Sequence, residues 1–273
     1  MGSFKSSIAS SMFGKFANCE FPTLLQNLIN RVYVKLMKVD LSDFESIQSY
    51  KTLNALFTRA LKTPRDFDKD EAIFISPCDA FISESGKIKE AKALQIKAHE
   101  YRVRELLGTL VSKECVEKIV EGDFLNFYLS PRDYHRYHVP IDMRIAKAVH
   151  IPGKLYPVNF TWLSKIPELF VENERVVLEC YTKEEKVFYM VFVGALNVGK
   201  MSFVFDASIQ TNAKKTQPQL YTYENLYLKK SQELGRFEMG STIVMLFEKE
   251  SVELTCTKDN SIRFCDTIAK KIN

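Results

Sequence analysis

Long apolar runs are missing from this 273-residue sequence; the best of them, Val187 to Val198, is broken by Gly194 and Asn197. A membrane-spanning helix needs roughly 20 consecutive apolar residues, so no such helix is expected. The six cysteines include no CxxC pair, which excludes a disulfide framework and a zinc-ligand spacing and fits a reducing, cytosolic setting. Glycine (10) and proline (9) are too few for a collagen-like or low-complexity chain. With 38 basic against 34 acidic residues, the net charge of +4 makes no case for nucleic acid. Met1 to Ser11 carries Lys5 and several serines in place of an apolar core, so a secretory signal is not expected either. The start also fits the loose myristoylation pattern, which by itself supplies only a weak anchor.

The 46% hydrophobic residues are ample for a buried core. The excess positive charge collects at one end, where Lys5, Lys15, Arg31, Lys35 and Lys38 face only Glu20 and Asp40 within residues 1–40, five minus two. Two amphipathic helices are expected there. The first carries Phe4, Ile8, Met12 and Phe16 at four-residue spacing; the second opens on a Thr23–Gln26 capping box and carries Leu25, Ile29, Val32, Leu36 and Val39. Such stripes dock on a core or lie in a membrane interface, and the pattern alone leaves both open.

From about Ile73 the texture changes to short β-type runs, including 123–129, 145–151, 175–180, 187–193, 201–205, 242–248 and 252–256. Helices are expected near 102–111 and 112–120, a short closing helix near 266–271, and a linker-like loop over 210–230. The expected fold is α+β: N-terminal amphipathic helices, then an antiparallel-rich β-sheet or partly closed barrel.

Histidine is scarce, yet His135 and His138 sit three residues apart after the Ser130-Pro131 turn. Loops of this kind hold sites more often than core, although interleaved Tyr and His also pack without a function. Two ligands at this spacing with no third nearby make a poor zinc site, and no metal is expected. Asp79 follows an apolar run and Pro77, where the plain reading is an Asx turn; Gly240-Ser241-Thr242 reads most simply as a hairpin turn. Together Asp79, His138 and Ser241 are the residue types that activate a hydroxyl. The nucleophile elbow of a serine hydrolase is absent, since Met239-Gly-Ser-Thr-Ile243 lacks its second glycine. Attack of Ser241 on the Gly240 carbonyl would instead cut the chain and turn Ser241 into a pyruvoyl group.

Seven strings in order match one family: Leu56-Phe-Thr-Arg-Ala-Leu-Lys62, Ser76-Pro-Cys-Asp79, Tyr128-Leu-Ser-Pro-Arg-Asp-Tyr-His-Arg-Tyr-His-Val-Pro140, Gly153-Lys-Leu-Tyr-Pro-Val-Asn159, Asn173-Glu-Arg-Val-Val177, Val193-Gly-Ala-Leu-Asn-Val-Gly199 and Leu234-Gly-Arg-Phe-Glu-Met-Gly-Ser-Thr242. The chain resembles the phosphatidylserine decarboxylases, which are self-processing and pyruvoyl-dependent. The resemblance implies cleavage between Gly240 and Ser241 into chains 1–240 and 241–273. It implies that Asp79 and His138 activate Ser241, and that His135 serves the decarboxylation. The pyruvoyl group made from Ser241 would form a Schiff base with phosphatidylserine and release carbon dioxide, giving phosphatidylethanolamine. Residues 1–45 become a helical membrane-contact region and 46–273 a β-rich catalytic domain. Implied partners are phosphatidylserine, an anionic membrane surface and the two chains of one precursor, with a homo-oligomer left open and no nucleic acid. The implied location is peripheral, on the cytoplasmic face of the cell membrane. Two positions depart from the family pattern: Ala80 stands where Gly is usual, and Met239 where Leu is. The competing readings are a serine hydrolase using Asp79, His138 and Ser241, and a non-catalytic membrane-binding β protein.

Overall fold

The computed structural model describes residues 14–89, 92–96, 99–158, 162, 166, 168–195, 200–211, 216–238 and 241–272. Phe4, Ile8, Met12, Met239 and Gly240 lie outside the described residues, as does the side chain of Ser241. Residues 14–18 are helical, and helices follow at Thr23–Met37 (α1), Leu53–Phe57 (α2), Val103–Leu107 (α3), Lys113–Ile119 (α4) and Leu169–Glu172 (α5). The strands, in chain order, are Ile73–Ile75 (β1), Ala80–Lys87 (β2), Lys92–Ile96 (β3), His99–Arg102 (β4), Asp123–Leu129 (β5), Arg136–His138 (β6), Met143–Ile151 (β7) and Arg175–Tyr181 (β8). They continue with Val187–Val193 (β9), Lys200–Phe203 (β10), Gln219–Leu228 (β11), Glu233–Glu238 (β12), Ser241–Phe247 (β13), Val252–Leu254 (β14), Ser261–Ile262 (β15) and Thr267–Lys271 (β16).

Among the described residues the main sheet has eight antiparallel strands in the order β11-β7-β8-β9-β13-β5-β2-β15. It ends in two edges, β11 and β15, so the sheet rather than the partly closed barrel is realised. Its middle reads as unbroken apolar sequence, Val-Phe-Tyr-Met-Val-Phe-Val in β9, because both faces are covered and every residue of that strand is buried. Phe188 and Phe192 are four apart on β9 and so share one face. Phe74 of the small sheet β1-β16-β14 meets Phe188 edge-on at 5.4 Å, and Tyr137 of the small sheet β10-β12-β6 meets Phe192 at 4.5 Å. Two small sheets thus pack on one face of the large one, towards opposite ends of β9.

Several local expectations need correction. The 210–230 stretch holds β11, which stands at the edge of the main sheet among the described residues and whose side chains alternate between partly covered and exposed, which is why its composition resembles a linker. The expected closing helix at 266–271 is strand β16, paired with β1 and β14. No Thr23–Gln26 capping box forms; the N-cap position is Pro22, and the Gln26 amide turns to Asn30.

Helix α1 also reverses the usual polarity. Gln26 and Asn30 face inward, with Asn30 fully buried and its amide donating to the Tyr50 carbonyl at 2.9 Å. Leu24 (88% exposed), Leu28 (57%), Val32 and Leu36 (70%) face outward. Of the expected stripe, Val39 is buried and Ile29 packs inward, whereas Leu25, Val32 and Leu36 point to solvent. Among the described residues, no helix is long and apolar enough to cross a membrane.

Candidate active site

The fold converges on the segment from Ser130 to His138. Strand β13 pairs with β5 so that Ser241 stands opposite Leu129, the residue before that segment. On the preceding strand β12, the Phe237 amide donates to the His135 carbonyl at 3.0 Å, and Glu233 pairs with His138. Phe237 is therefore tied to the histidine-bearing segment and Ser241 to the residue before it, with residues 238–240 between the two. Alternation along β13 puts Ile243, Met245 and Phe247 on the face covered by the small sheets. Gly235 lets β12 lie close: a Cβ there would collide with the Ser202 carbonyl and sit 2.6 Å from the Tyr137 ring.

His138 is brought to Asp79 by backbone. Its amide donates to the Pro77 carbonyl at 2.8 Å, and the Ile75 amide donates to the Pro140 carbonyl at 2.9 Å. The imidazole is sandwiched by aromatics, stacked on Phe264 at 3.8 Å and on Tyr134 at 5.7 Å. Its Nδ1 lies 3.0 Å from the Ser231 carbonyl, which only accepts, so Nδ1 carries the proton. Nε2 is then the basic nitrogen, and the Tyr134 hydroxyl donates to it at 2.9 Å. Burial pushes His138 down to about 4, against the smaller opposing effect of the Ser231 hydrogen bond.

Asp79 does not hydrogen-bond His138. Its carboxylate is gripped by Arg65, with Nη1 on Oδ1 at 2.5 Å and Nη2 on Oδ2 at 3.1 Å, and by the Phe264 amide at 2.7 Å. The two residues communicate through Phe264, whose backbone holds the acid and whose ring holds the base. Asp43 completes the cluster by pairing with Arg65 at 3.0 Å and with Arg263. Ala80 has an ordinary negative φ as the first residue of β2, so alanine in place of glycine leaves the turn unstrained.

His135 is fully buried against Phe57, ring centroids 3.9 Å apart. Its Nδ1–H donates to the Asp133 carbonyl at 2.8 Å, and its Nε2 has no protein partner among the described residues. Burial first, and the positive charge of Arg59 second, push it down to about 3. Burial also lifts Asp133, to about 6. Arg59 braces the same loop by donating to the carbonyls of Arg132 at 2.7 Å and Asp133 at 3.0 Å. A cleft of about 370 Å³ opens beside these groups, lined by Arg59, Arg65, Asp79, Asp133 and Tyr134 among others.

Sequence reasoning missed Arg65, Tyr134 and Phe264. Tyr134 lay inside the matched 128–140 string and Arg65 three residues beyond Lys62, so both carried a signal. Phe264 lies beyond every matched string and carried none.

A strand that opens on a serine and pairs next to a segment holding two buried, neutral histidines has the build of an enzyme. A phosphatidylserine decarboxylase family profile matches residues 53–270. The chain is 46% identical to a phosphatidylserine decarboxylase proenzyme of Helicobacter pylori strain J99 over 266 residues, 97% of each chain. It is 46% identical to the Campylobacter jejuni protein of that name over 265 residues, 96% of this chain and 97% of the relative. The Idiomarina loihiensis protein of that name is 36% identical over 254 residues, 90% of this chain and 85% of the relative. The chain belongs to the phosphatidylserine decarboxylase family, a family of carboxy-lyases.

Proposed function

We propose that this chain decarboxylates phosphatidylserine to phosphatidylethanolamine, using a pyruvoyl group that it makes by breaking its own Gly240–Ser241 bond. The observation that carries the reading is the pinning of Phe237 to the segment bearing His135 and His138, and of Ser241, across that bond, to the residue before that segment.

The Ser241 hydroxyl attacks the Gly240 carbonyl carbon as its proton passes to His138 Nε2 through the Tyr134 hydroxyl already seated there. The C–N bond breaks, an ester replaces the amide, and the proton goes to the freed Ser241 nitrogen. Loss of the Ser241 α-proton then expels the Gly240 carboxylate. Water adds to the resulting dehydroalanine and ammonia leaves, so the small chain begins with a ketone. Neutral His138 suits this work: burial makes it a weak base, adequate for a reaction that occurs once per molecule.

The residues present fit proton transfer beside a ketone at the head of β13, because His135 Nε2, buried and without a protein partner among the described residues, lies on the adjoining loop. The pyruvoyl group supplies the electron sink for decarboxylation. His135 Nε2 presents a lone pair, which repels a carboxylate, so it handles a proton instead of holding the substrate's acid group. It takes a proton that the substrate ammonium sheds and returns it to the α-carbon after carbon dioxide has left.

A substrate with two acyl chains is met at a lipid surface, and residues 1–45 supply the contact. The exposed row Leu24, Leu28, Val32 and Leu36, flanked by Arg31 and Lys35, suits an anionic interface. Residues 46–273 form the catalytic part. The location that follows is peripheral, on the cytoplasmic face of the cell membrane.

The test uses Ser241→Ala. It stays uncut and releases no carbon dioxide from phosphatidylserine labelled in the serine carboxyl; normal turnover by that variant excludes the assignment. A serine hydrolase would keep the wild-type chain whole.

A further inference from the structure

Helix α1 meets the body of the protein through polar groups as well as through Ile29, Tyr33 and Val34, and the polar part carries a cost that purely apolar docking avoids. Gln26 Nε2 donates to Asn30 Oδ1 at 2.8 Å, Asn30 Nδ2 donates to the Tyr50 carbonyl, and Tyr33 Oη donates to the Pro131 carbonyl at 2.8 Å. Positions 26, 30 and 33 form one helical stripe, opposite the exposed Leu24-Leu28-Val32 row. Directional bonds of this kind fix the roll of a helix about its axis, which apolar contacts leave adjustable. The last bond spans 98 residues and ends on the 130–135 segment.

We propose that Tyr33 is a positioning residue: it sets the register between the lipid-seated face of α1 and the loop that carries His135. The proposal rests on the decarboxylase and lipid-surface readings above. With the leucine row in the interface, α1 becomes a spacer about 10 Å thick between the lipid and Pro131, the diameter of one helix. The Tyr33 bond keeps the loop at that height, so the head group of a bilayer-held lipid reaches the site. A substrate molecule free in water needs no such register.

The test compares full-length wild type and Tyr33→Phe on two substrates: phosphatidylserine in phosphatidylcholine vesicles, and a short-chain phosphatidylserine kept below its micelle concentration. Losing one hydrogen bond of about 0.5–1.5 kcal/mol corresponds to roughly a two- to tenfold effect. Tyr33→Phe is expected to bind vesicles as wild type does, to cut itself fully, and to turn over the soluble substrate within about twofold of wild type. At saturating vesicle lipid its turnover is expected to fall roughly three- to tenfold. Leu28→Asp with Leu36→Asp is expected to lose vesicle binding and keep soluble turnover. Equal loss on both substrates, or no loss on vesicles, overturns the proposal. A leucine variant that still binds vesicles overturns the lipid-seated face. Wild type that cuts itself but turns over neither substrate brings down the decarboxylase reading instead, and this proposal with it.

Discussion

Phe264 lies flat on the imidazole of His138, ring centroids 3.8 Å apart and planes 17° from parallel. The same residue's amide holds Asp79. Under the proposed cleavage Phe264 would fall in the small chain and Asp79 and His138 in the large one, so the site would need both pieces after the cut. Phe264→Leu keeps the amide and removes the ring contact, worth about 0.5–1.5 kcal/mol. Self-cleavage, followed by gel after rapid synthesis, should slow up to about tenfold while the product remains folded. An unchanged rate would mean that the stack has no part in aiming the base.

Removing Arg65 leaves Asp79 and Asp43 as neighbouring carboxylates without their shared cation. Both are partly exposed, which softens the cost to about 2–3 kcal/mol from the larger figure for fully buried pairs. Arg65→Met should lower the denaturant midpoint accordingly and slow cleavage, because Asp79 no longer has one fixed orientation.

Much of the large sheet could be read from sequence, and the reason is burial on both faces. Runs such as 187–193 and 243–247 are continuously apolar and leave little choice but strand. The second helix shows the opposite case. Its period was legible, but not its roll, because hydrophobicity assigns leucines to the inside and nothing local reveals that Asn30 will find the Tyr50 carbonyl twenty residues on. Strand β16 was misread since Thr-Ile-Ala-Lys-Lys carries no strong preference and its partners β1 and β14 are set by tertiary pairing. Asp79, His135, His138 and Ser241 were legible as strings in family order. The linkage of Asp79 to His138 through Phe264 was not, since the Phe264–Asp79 bond joins residues 185 positions apart.

Acid should unfold the protein in a defined direction. His135 and His138 are held at about 3 and about 4, below the ordinary 6.5, so stability tied to their neutral forms is lost as pH falls below about 6.5. Asp133, raised to about 6 from 3.8, acts oppositely and favours the native state as pH falls through 6. Between about pH 6 and pH 4 two groups take up protons on unfolding and one gives its proton up, a net of one, or about 1.4 kcal/mol per pH unit. Thermal melting from pH 7 to pH 4 should show a steadily falling Tm; a flat or rising trend would contradict the buried neutral imidazoles.

The small chain should not dissociate once made. Residues 241–247 form β13, in the interior of the large sheet between β9 and β5, and β16 ties β1 to β14. Size exclusion of processed protein in native buffer should yield both pieces in one peak, separating only in denaturant. Separate elution in native buffer would contradict this placement of the strand.

The most direct measurement is the intact mass of the freshly purified chain under denaturing conditions. The account predicts two species, residues 1–240 and a fragment of residues 241–273 lighter by one ammonia than the plain peptide, with a terminal ketone that hydrazine captures. A folded protein that persists as one 31.5 kDa species, with nothing for hydrazine to trap, would contradict it.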